Sequence, residues 1–275
     1  MLDHEGVLIT KESEEYFAEL SEKHGISLTP AQKAWYAKKS ETQGDLMKRE
    51  YPSTPEEAFQ ASVQGAYYDR EMARVRKERR ILNVPFEPSI PVNTGWDLGM
   101  DDYMTIWFHQ RVGMENRLIH YYENSGYGLD HYAQYLQRLA QERGYIYGQH
   151  FLPHDASVRE LGTGKSRVEK LESLGFRNVV VIGNDVSLAD QIEAVRTFLA
   201  TSWFDEKDTA AGVRCLDNYR KKYDDKIGGW RDEPLHDGAS HGADGFRSLA
   251  VGFSPRKVMK ESQHTRNRRR DGRVV

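Results

Sequence analysis

Val92-Asn93-Thr94-Gly95-Trp96-Asp97-Leu98-Gly99 decides how the chain reads. Residues 92–98 have the apolar and aromatic content of a strand, and the boundary ahead of them is sharp. Val84-Pro85-Phe86-Glu87-Pro88 stops a preceding helical pattern and reads as a linker. Within the apolar strand stands Asp97. An ionised carboxylate near a core is costly unless it is paired or bound to metal. Outward from this strand, residues 104–112 form a second, with Ile106 and Phe108 alternating against Thr105 and Trp107. Residues 117–123 form a third, joined to it as a hairpin through Gly113 and Asn116.

A helix over 129–143 follows, with Tyr132, Tyr135, Leu136 and Leu139 on one face, then a strand over 146–153 and a helix over 166–174. Residues 179–182 are wholly apolar and predict a short interior strand. Helices are predicted over 192–199, 209–223 and 242–251, with a turn-rich segment at 226–237 before the last. Trp203-Phe204-Asp205 reads as a buried edge strand. The order βββ-α-β-α-β-α describes an α/β fold. It would bring the end of the first strand beside the end of the fourth.

Upstream the chain is helical. Residues 11–24 carry Tyr16, Phe17 and Leu20 at helical spacing and end at Gly25. Thr29-Pro30-Ala31-Gln32 is a capping box with Pro at the first helical position, and Thr54-Pro55-Glu56-Glu57 repeats the device. A third helix is predicted from Asp69 to Arg80. The domain reading is a helical segment over 1–85, an α/β domain over 86–253 and a basic tail over 254–275.

The chain has 275 residues, 29% of them charged and 11% aromatic, with a formal net charge of −3. This is too charged for a membrane protein and too aromatic for a disordered one. The N-terminus lacks an apolar signal core, and one cysteine, Cys215, excludes an internal disulfide framework or a multi-Cys zinc site. The charge is uneven: the last 22 residues hold eight Lys and Arg against two acids, net +6, which leaves the rest at −9. With almost no apolar residues the tail should not fold alone. Its run Arg268-Arg269-Arg270 suits a polyanion.

Two further carboxylates share the oddity of Asp97. Asp155 directly follows a strand in Phe151-Leu152-Pro153-His154-Asp155, and Asp244 sits among small residues in His241-Gly242-Ala243-Asp244-Gly245. Each has an ordinary alternative: Asp155 as a cap of the next turn, Asp244 as a partner of Arg247. Converging, the three would repel one another and need a divalent cation. Oxygen ligands without cysteine point to Mg²⁺ or Mn²⁺, and two such ions about 4 Å apart can hold both oxygens of an in-line phosphoryl displacement.

Four segments in register carry a resemblance. They are Tyr51-Pro52-Ser53-Thr54-Pro55-Glu56-Glu57-Ala58-Phe59; Gly95-Trp96-Asp97-Leu98-Gly99; Pro153-His154-Asp155-Ala156; and Pro234-Leu235-His236-Asp237 with Ser240-His241-Gly242-Ala243-Asp244. Together they resemble the C-terminal nuclease part of the large terminase subunit of tailed bacteriophages, from about Leu28 to Phe253. The resemblance implies an RNase H-like fold, a mixed five-stranded sheet flanked by helices. It implies a nuclease that cuts concatemeric double-stranded viral DNA during packaging in the cytoplasm of the bacterial host. It also implies two-metal catalysis by Asp97, Asp155 and Asp244, with Asp97 bridging both ions and Asp101 or Asp102 as auxiliary ligands. Its implied partners are DNA, the small subunit, the portal protein and the ATPase motor, and no membrane. A transposase or resolvase on the same scaffold, or a non-catalytic module docking DNA or portal, is the rival reading.

One departure matters. Large terminases carry a P-loop motor ahead of the nuclease, and the only candidate here is Gly162-Thr163-Gly164-Lys165-Ser166. A Walker A loop requires glycine where Arg159 stands. The segment therefore reads as a loop and helix start, with Lys165 and Arg167 reaching DNA phosphate, and no ATPase is expected in this chain. His236 and His241 lie near Asp244 as auxiliary residues for proton transfer or for orienting a ligand carboxylate. Arg220-Lys221-Lys222 is either a grip on a DNA backbone or a solvated helix face.

Overall fold

The computed structural model describes residues 7–43, 47, 51–54, 65–99, 103–159, 164–183, 185–224 and 226–253. The chain divides into two compact units, Met1–Gln64 and Gly65–Val275. The first contains α1 (Lys11–His24) and α2 (Pro30–Gln43). Phe17 and Leu20 of α1 cluster with Tyr36 of α2, and Gly25 closes α1 in the left-handed region at φ +68°. The predicted capping box forms: the Thr29 amide donates to Gln32 Oε1 at 2.8 Å and the Gln32 amide to Thr29 Oγ1 at 3.3 Å. Its counterpart at Pro55–Glu57 lies outside the described residues.

The second unit contains α3 (Asp69–Lys77), β1 (Ile81–Leu82), β2 (Val92–Asp97), β3 (Tyr103–Val112), β4 (Glu115–Ser125), α4 (Leu129–Arg143) and β5 (Tyr147–Leu152). It continues with α5 (Arg167–Ser173), β6 (Val179–Val181), α6 (Leu188–Leu199), β7 (Ser202–Asp205), α7 (Ala210–Asn218), β8 (Lys221–Asp224), β9 (Gly229–Pro234) and α8 (Gly238–Gly252). One mixed sheet runs β1-β7-β4-β3-β2-β5-β6, antiparallel at β2/β3 and β3/β4 and parallel elsewhere. The five strands β4-β3-β2-β5-β6 are the RNase H-like sheet expected from the sequence.

The sheet nonetheless has seven strands rather than five. β7 runs parallel to β4, with Leu118 opposite Phe204, so it is not the edge strand expected. β1 covers it, pinned by the buried guanidinium of Arg80, which donates to the carbonyls of Leu199 and Ser202. A two-residue strand has too short a pattern to read from sequence. β6 is the converse case: expected inside, it ends the sheet. Its valines pack alternately into the cores on the two faces, so its apolar run reports two covered faces and not a paired edge.

Two further differences have local causes. The helix expected over 209–223 stops at Asn218, and the next residues enter a separate β8–β9 hairpin. Tyr219 is buried against Tyr67 and Tyr68, its carbonyl accepts the Tyr67 amide, and the Lys221 amide reaches the Gly65 carbonyl. Tyr67, Tyr68, Met72 and Val75 belong to this core, and the second compact unit begins at Gly65. α8 starts at Gly238, earlier than expected, because the Asp237 carboxylate caps it by accepting the Ala239 amide at 3.0 Å. α3, α6, α7 and α8 cover one sheet face around Trp107 and Phe246, and α4 and α5 cover the other around Trp96 and Phe108.

Candidate active site

β2 and β5 are parallel neighbours with Gly95 opposite Phe151, so both strands run out at one edge of the sheet. Asp97 is the last residue of β2, and Asp155 lies in the 3₁₀ turn His154–Ser157 that follows β5. The third element, α8, reaches that edge by close backbone approach. A Cβ on Gly95 would stand 2.5 Å from Leu249 Cβ and 2.6 Å from the Gly245 carbonyl, and one on Gly245 would stand 2.7 Å from Thr105 Oγ1. Only glycine at both points lets α8 lie this near β2, which puts Asp244 beside the end of β2. Thr105 Oγ1 donates to the His241 carbonyl at 2.8 Å and Trp107 Nε1 to the Gly242 carbonyl at 2.7 Å, fixing the first turns of the helix on β3.

The side chains then meet across a long sequence interval. His241 Nδ1 lies 3.0 Å from Asp97 Oδ2. Asp244 Oδ1 is shut off from solvent and makes no hydrogen bond among the described residues. Arg247 Nη1, 3.1 Å away, is within ion-pair distance but off the hydrogen-bonding direction, and it donates instead to Tyr219 Oη at 2.9 Å. Burial, followed by the nearby charge of Asp97, pushes the Asp244 carboxyl up to about 6, against the lowering influence of Arg247, Tyr219 and His241. A desolvated carboxylate oxygen with an ion-pair neighbour but no hydrogen bond, beside a second carboxylate, is a donor set suited to a hard divalent cation.

Asp155 is differently placed. It is more exposed, and its Oδ2 accepts from Arg167 Nη1 at 2.9 Å. Among the described residues no group of three or more His, Cys, Asp or Glu side chains stands close enough to hold a metal ion. The structure thus brings Asp97, Asp244 and His241 together and leaves Asp155 on the same sheet edge, neutralised by an arginine. The auxiliary candidates Asp101 and Asp102 lie outside the described residues. His236 is one ring further out, 5.2 Å from His241 by centroids, with its Nδ1 3.2 Å from Ser240 Oγ.

The basic residues chosen from sequence divide in the same way. Arg167 opens α5 and faces the Asp155 carboxylate, and Lys165 directly precedes the helix cap. Ser166 caps α5 in a reciprocal box with Glu169, so the Gly-Lys-Ser segment is a helix start, as expected. Arg220, Lys221 and Lys222 are not on a helix face. They enter the β8–β9 hairpin and pair with Asp237, Asp232 and Glu233. Arg268, Arg269 and Arg270 lie outside the described residues. Sequence reading missed Thr105 and Tyr219, whose roles depend on contacts across more than a hundred residues or on where a helix ends. The spacing of Arg247 from Asp244 did reveal that pair.

No protein-family model and no curated protein sequence matches the chain. Among solved structures it is similar to the large terminase of a thermophilic bacteriophage. With the ADP complex of that protein the TM-score is 0.53 at 15% identity, over 66% of this chain and 44% of that one. Another structure of the same terminase gives 0.53 at 14% identity over 80% and 59%, and a second crystal form 0.51 at 14% over 87% and 58%. The chain has the fold of the matched part of that protein and spans about half its length.

Proposed function

We propose that this chain is the nuclease part of a large terminase subunit, a metal-dependent endonuclease that cuts concatemeric double-stranded viral DNA during packaging in the host cytoplasm. The observation that carries the reading is the buried Asp244 carboxylate beside Asp97, its Oδ1 ion-paired with Arg247 but without a hydrogen bond, on the sheet edge where Asp155 also emerges. The fold shared with the thermophilic phage's large terminase and the four motifs in register support it.

In this reading Asp97, Asp155 and Asp244 are the residues that would hold two Mg²⁺ or Mn²⁺ ions. Bound there, the ions supply a water of lowered pKa and neutralise the charge that develops on the departing 3′ oxygen. The chain's own residues do the rest. His241, at 3.0 Å, fixes and orients the Asp97 carboxylate. Arg167 balances Asp155 until DNA and cation compete for it. Arg247, held by Tyr219, offsets part of the charge of Asp244 and keeps it partly ionised despite its burial. The ATPase motor, the small subunit and the portal protein are the partners this function requires, and ATP hydrolysis is assigned to the motor and not to this chain.

The test is digestion of supercoiled plasmid by the full chain with Mn²⁺ or with EDTA, alongside Asp244→Asn and Asp155→Asn. Cutting by the wild type with Mn²⁺ alone, lost in both variants, is expected. Cutting in EDTA, or by both variants at the wild-type rate, would overturn the reading.

A further inference from the structure

On the α8 side of the sheet a cavity of about 510 Å³ opens close to His241. Its lining includes Tyr103, Glu123, Arg214, Cys215, Asn218 and Arg220. The size suits a single small ligand, within the roughly 300–1,000 Å³ usual for such sites. Its connection to the acid cluster is direct. Tyr103 stands two residues before Thr105, which pairs with Asp97 across β2 and β3, and the Tyr103 ring lies 6.4 Å from that of His241. Glu123 is the partner of Thr105 on β4.

The lining has a definite chemistry. Tyr103 is 48% exposed, a large aromatic face left open at a site edge. Arg214 is exposed and has no ion-pair partner among the described residues, whereas Arg220 is taken up by Asp237 at 3.4 Å. The Asn218 amide nitrogen is used on the Arg214 carbonyl at 2.8 Å, which leaves its carbonyl oxygen as an acceptor. Glu123 Oε2 accepts from Tyr121 at 2.7 Å, so that carboxylate offers further lone pairs but no proton. An open ring, one free guanidinium and two acceptors describe a partner that is planar, anionic at one end and rich in N–H donors at the other.

We propose that this cavity seats one unpaired nucleotide of the substrate strand next to the scissile phosphate, a reading that rests on the nuclease assignment above. Tyr103 stacks on the base, Arg214 holds the phosphate, and Glu123 with Asn218 accepts from an exocyclic amine. A base within a duplex has neither a free face nor a free pairing edge, so the cavity takes DNA that is locally melted or single-stranded. Bases bearing an exocyclic amine are favoured over thymine, because Glu123 supplies an acceptor and thymine lacks that amine.

The experiment uses the full chain in EDTA and a short single-stranded oligonucleotide carrying one 2-aminopurine, an adenine analogue whose fluorescence falls on stacking. The wild type should quench it and bind it more tightly than the blunt duplex of the same sequence or an all-thymine strand. Tyr103→Ala should abolish the quench and weaken binding about tenfold. Tyr103→Phe should retain both, and that rescue separates stacking from misfolding. Arg214→Ala should weaken binding and reduce its dependence on salt. Equal affinity for duplex and single strand, or quenching unchanged in Tyr103→Ala, would overturn the proposal. Plasmid cutting by a wild type that shows no quenching would remove this subsite and leave the nuclease assignment standing. Tyr103-dependent quenching without any metal-dependent cutting would support the subsite and count against the nuclease.

Discussion

His241 Nδ1 lies 3.0 Å from Asp97 Oδ2, joining α8 to the end of β2 across 144 residues. The contact orients the carboxylate through one of its oxygens. Removing such a support from a ligand typically costs tenfold to a hundredfold in metal affinity. His241→Ala should therefore weaken Mn²⁺ binding by about tenfold or more. Calorimetric titration of the folded variant, with its helix content checked by circular dichroism, would measure this; wild-type affinity would remove His241 from the site.

The glycine contact between β2 and α8 is a stability determinant as well as a means of placing Asp244. Gly95→Ala would force its methyl group into Leu249 and the Gly245 carbonyl, and overpacking of this kind costs about 1–3 kcal/mol. Gly238→Ala meets nothing within 4 Å and sits in the first turn of α8, so it should stay within about 0.5 kcal/mol of the wild type. Urea unfolding of both variants is the check. Equal midpoints would mean that the close approach is not a constraint.

Arg167 and the cation compete for Asp155 in this account. The pair is partly exposed, and an exposed pair contributes about 0.2–1 kcal/mol. Arg167→Gln should then tighten Mn²⁺ binding by about two- to fivefold. Weaker binding in this variant would show that Arg167 positions the carboxylate rather than competing for it.

Three buried histidines set the acid sensitivity of the fold. Burial holds His109 down at about 3, and His120 and His150 at about 4, against an ordinary value of 6.5. Below pH 6.5 the unfolded chain takes up protons that the folded chain refuses, so stability falls as pH drops from 6.5 towards 4. Asp244 acts in the opposite direction: raised to about 6, it takes up a proton on folding and favours the fold as pH falls. With three groups against one the loss dominates, and Tm should fall by at least about 5 °C between about pH 7 and pH 5. His150→Gln should flatten that slope, since its Nδ1 partner Thr94 Oγ1, 2.6 Å away, remains bonded to Trp96. A Tm independent of pH over this range would contradict the argument.

Much of this architecture is legible in the sequence wherever period and punctuation agree. The helix over 129–143 has the limits read from its apolar face, and Asp97 stands out because a charge in an apolar strand needs a reason. β1 and the β8–β9 hairpin escape that reading because their pairing is decided by contacts with distant chain, Arg80 with Leu199 and Ser202 for one and Tyr219 and Lys221 with Tyr67 and Gly65 for the other. The site is legible as a set of residue types but not as a geometry. Nothing local to Asp155 reveals that Arg167 faces it, and nothing local to His241 reveals that Asp97 does. The closeness of α8 to β2 is written in Gly95 and Gly245, but which partner each glycine admits emerges only on folding.

In the proposed function Asp97 anchors a metal-dependent cutting site. Its most direct test is conversion of supercoiled plasmid to nicked and linear forms in Mn²⁺ by the wild type and by Asp97→Asn, purified side by side and matched in Tm. The wild type should cut and the variant should fall by at least about a hundredfold, the scale on which losing a charge-stabilising group acts. Equal cutting by the two proteins would contradict it.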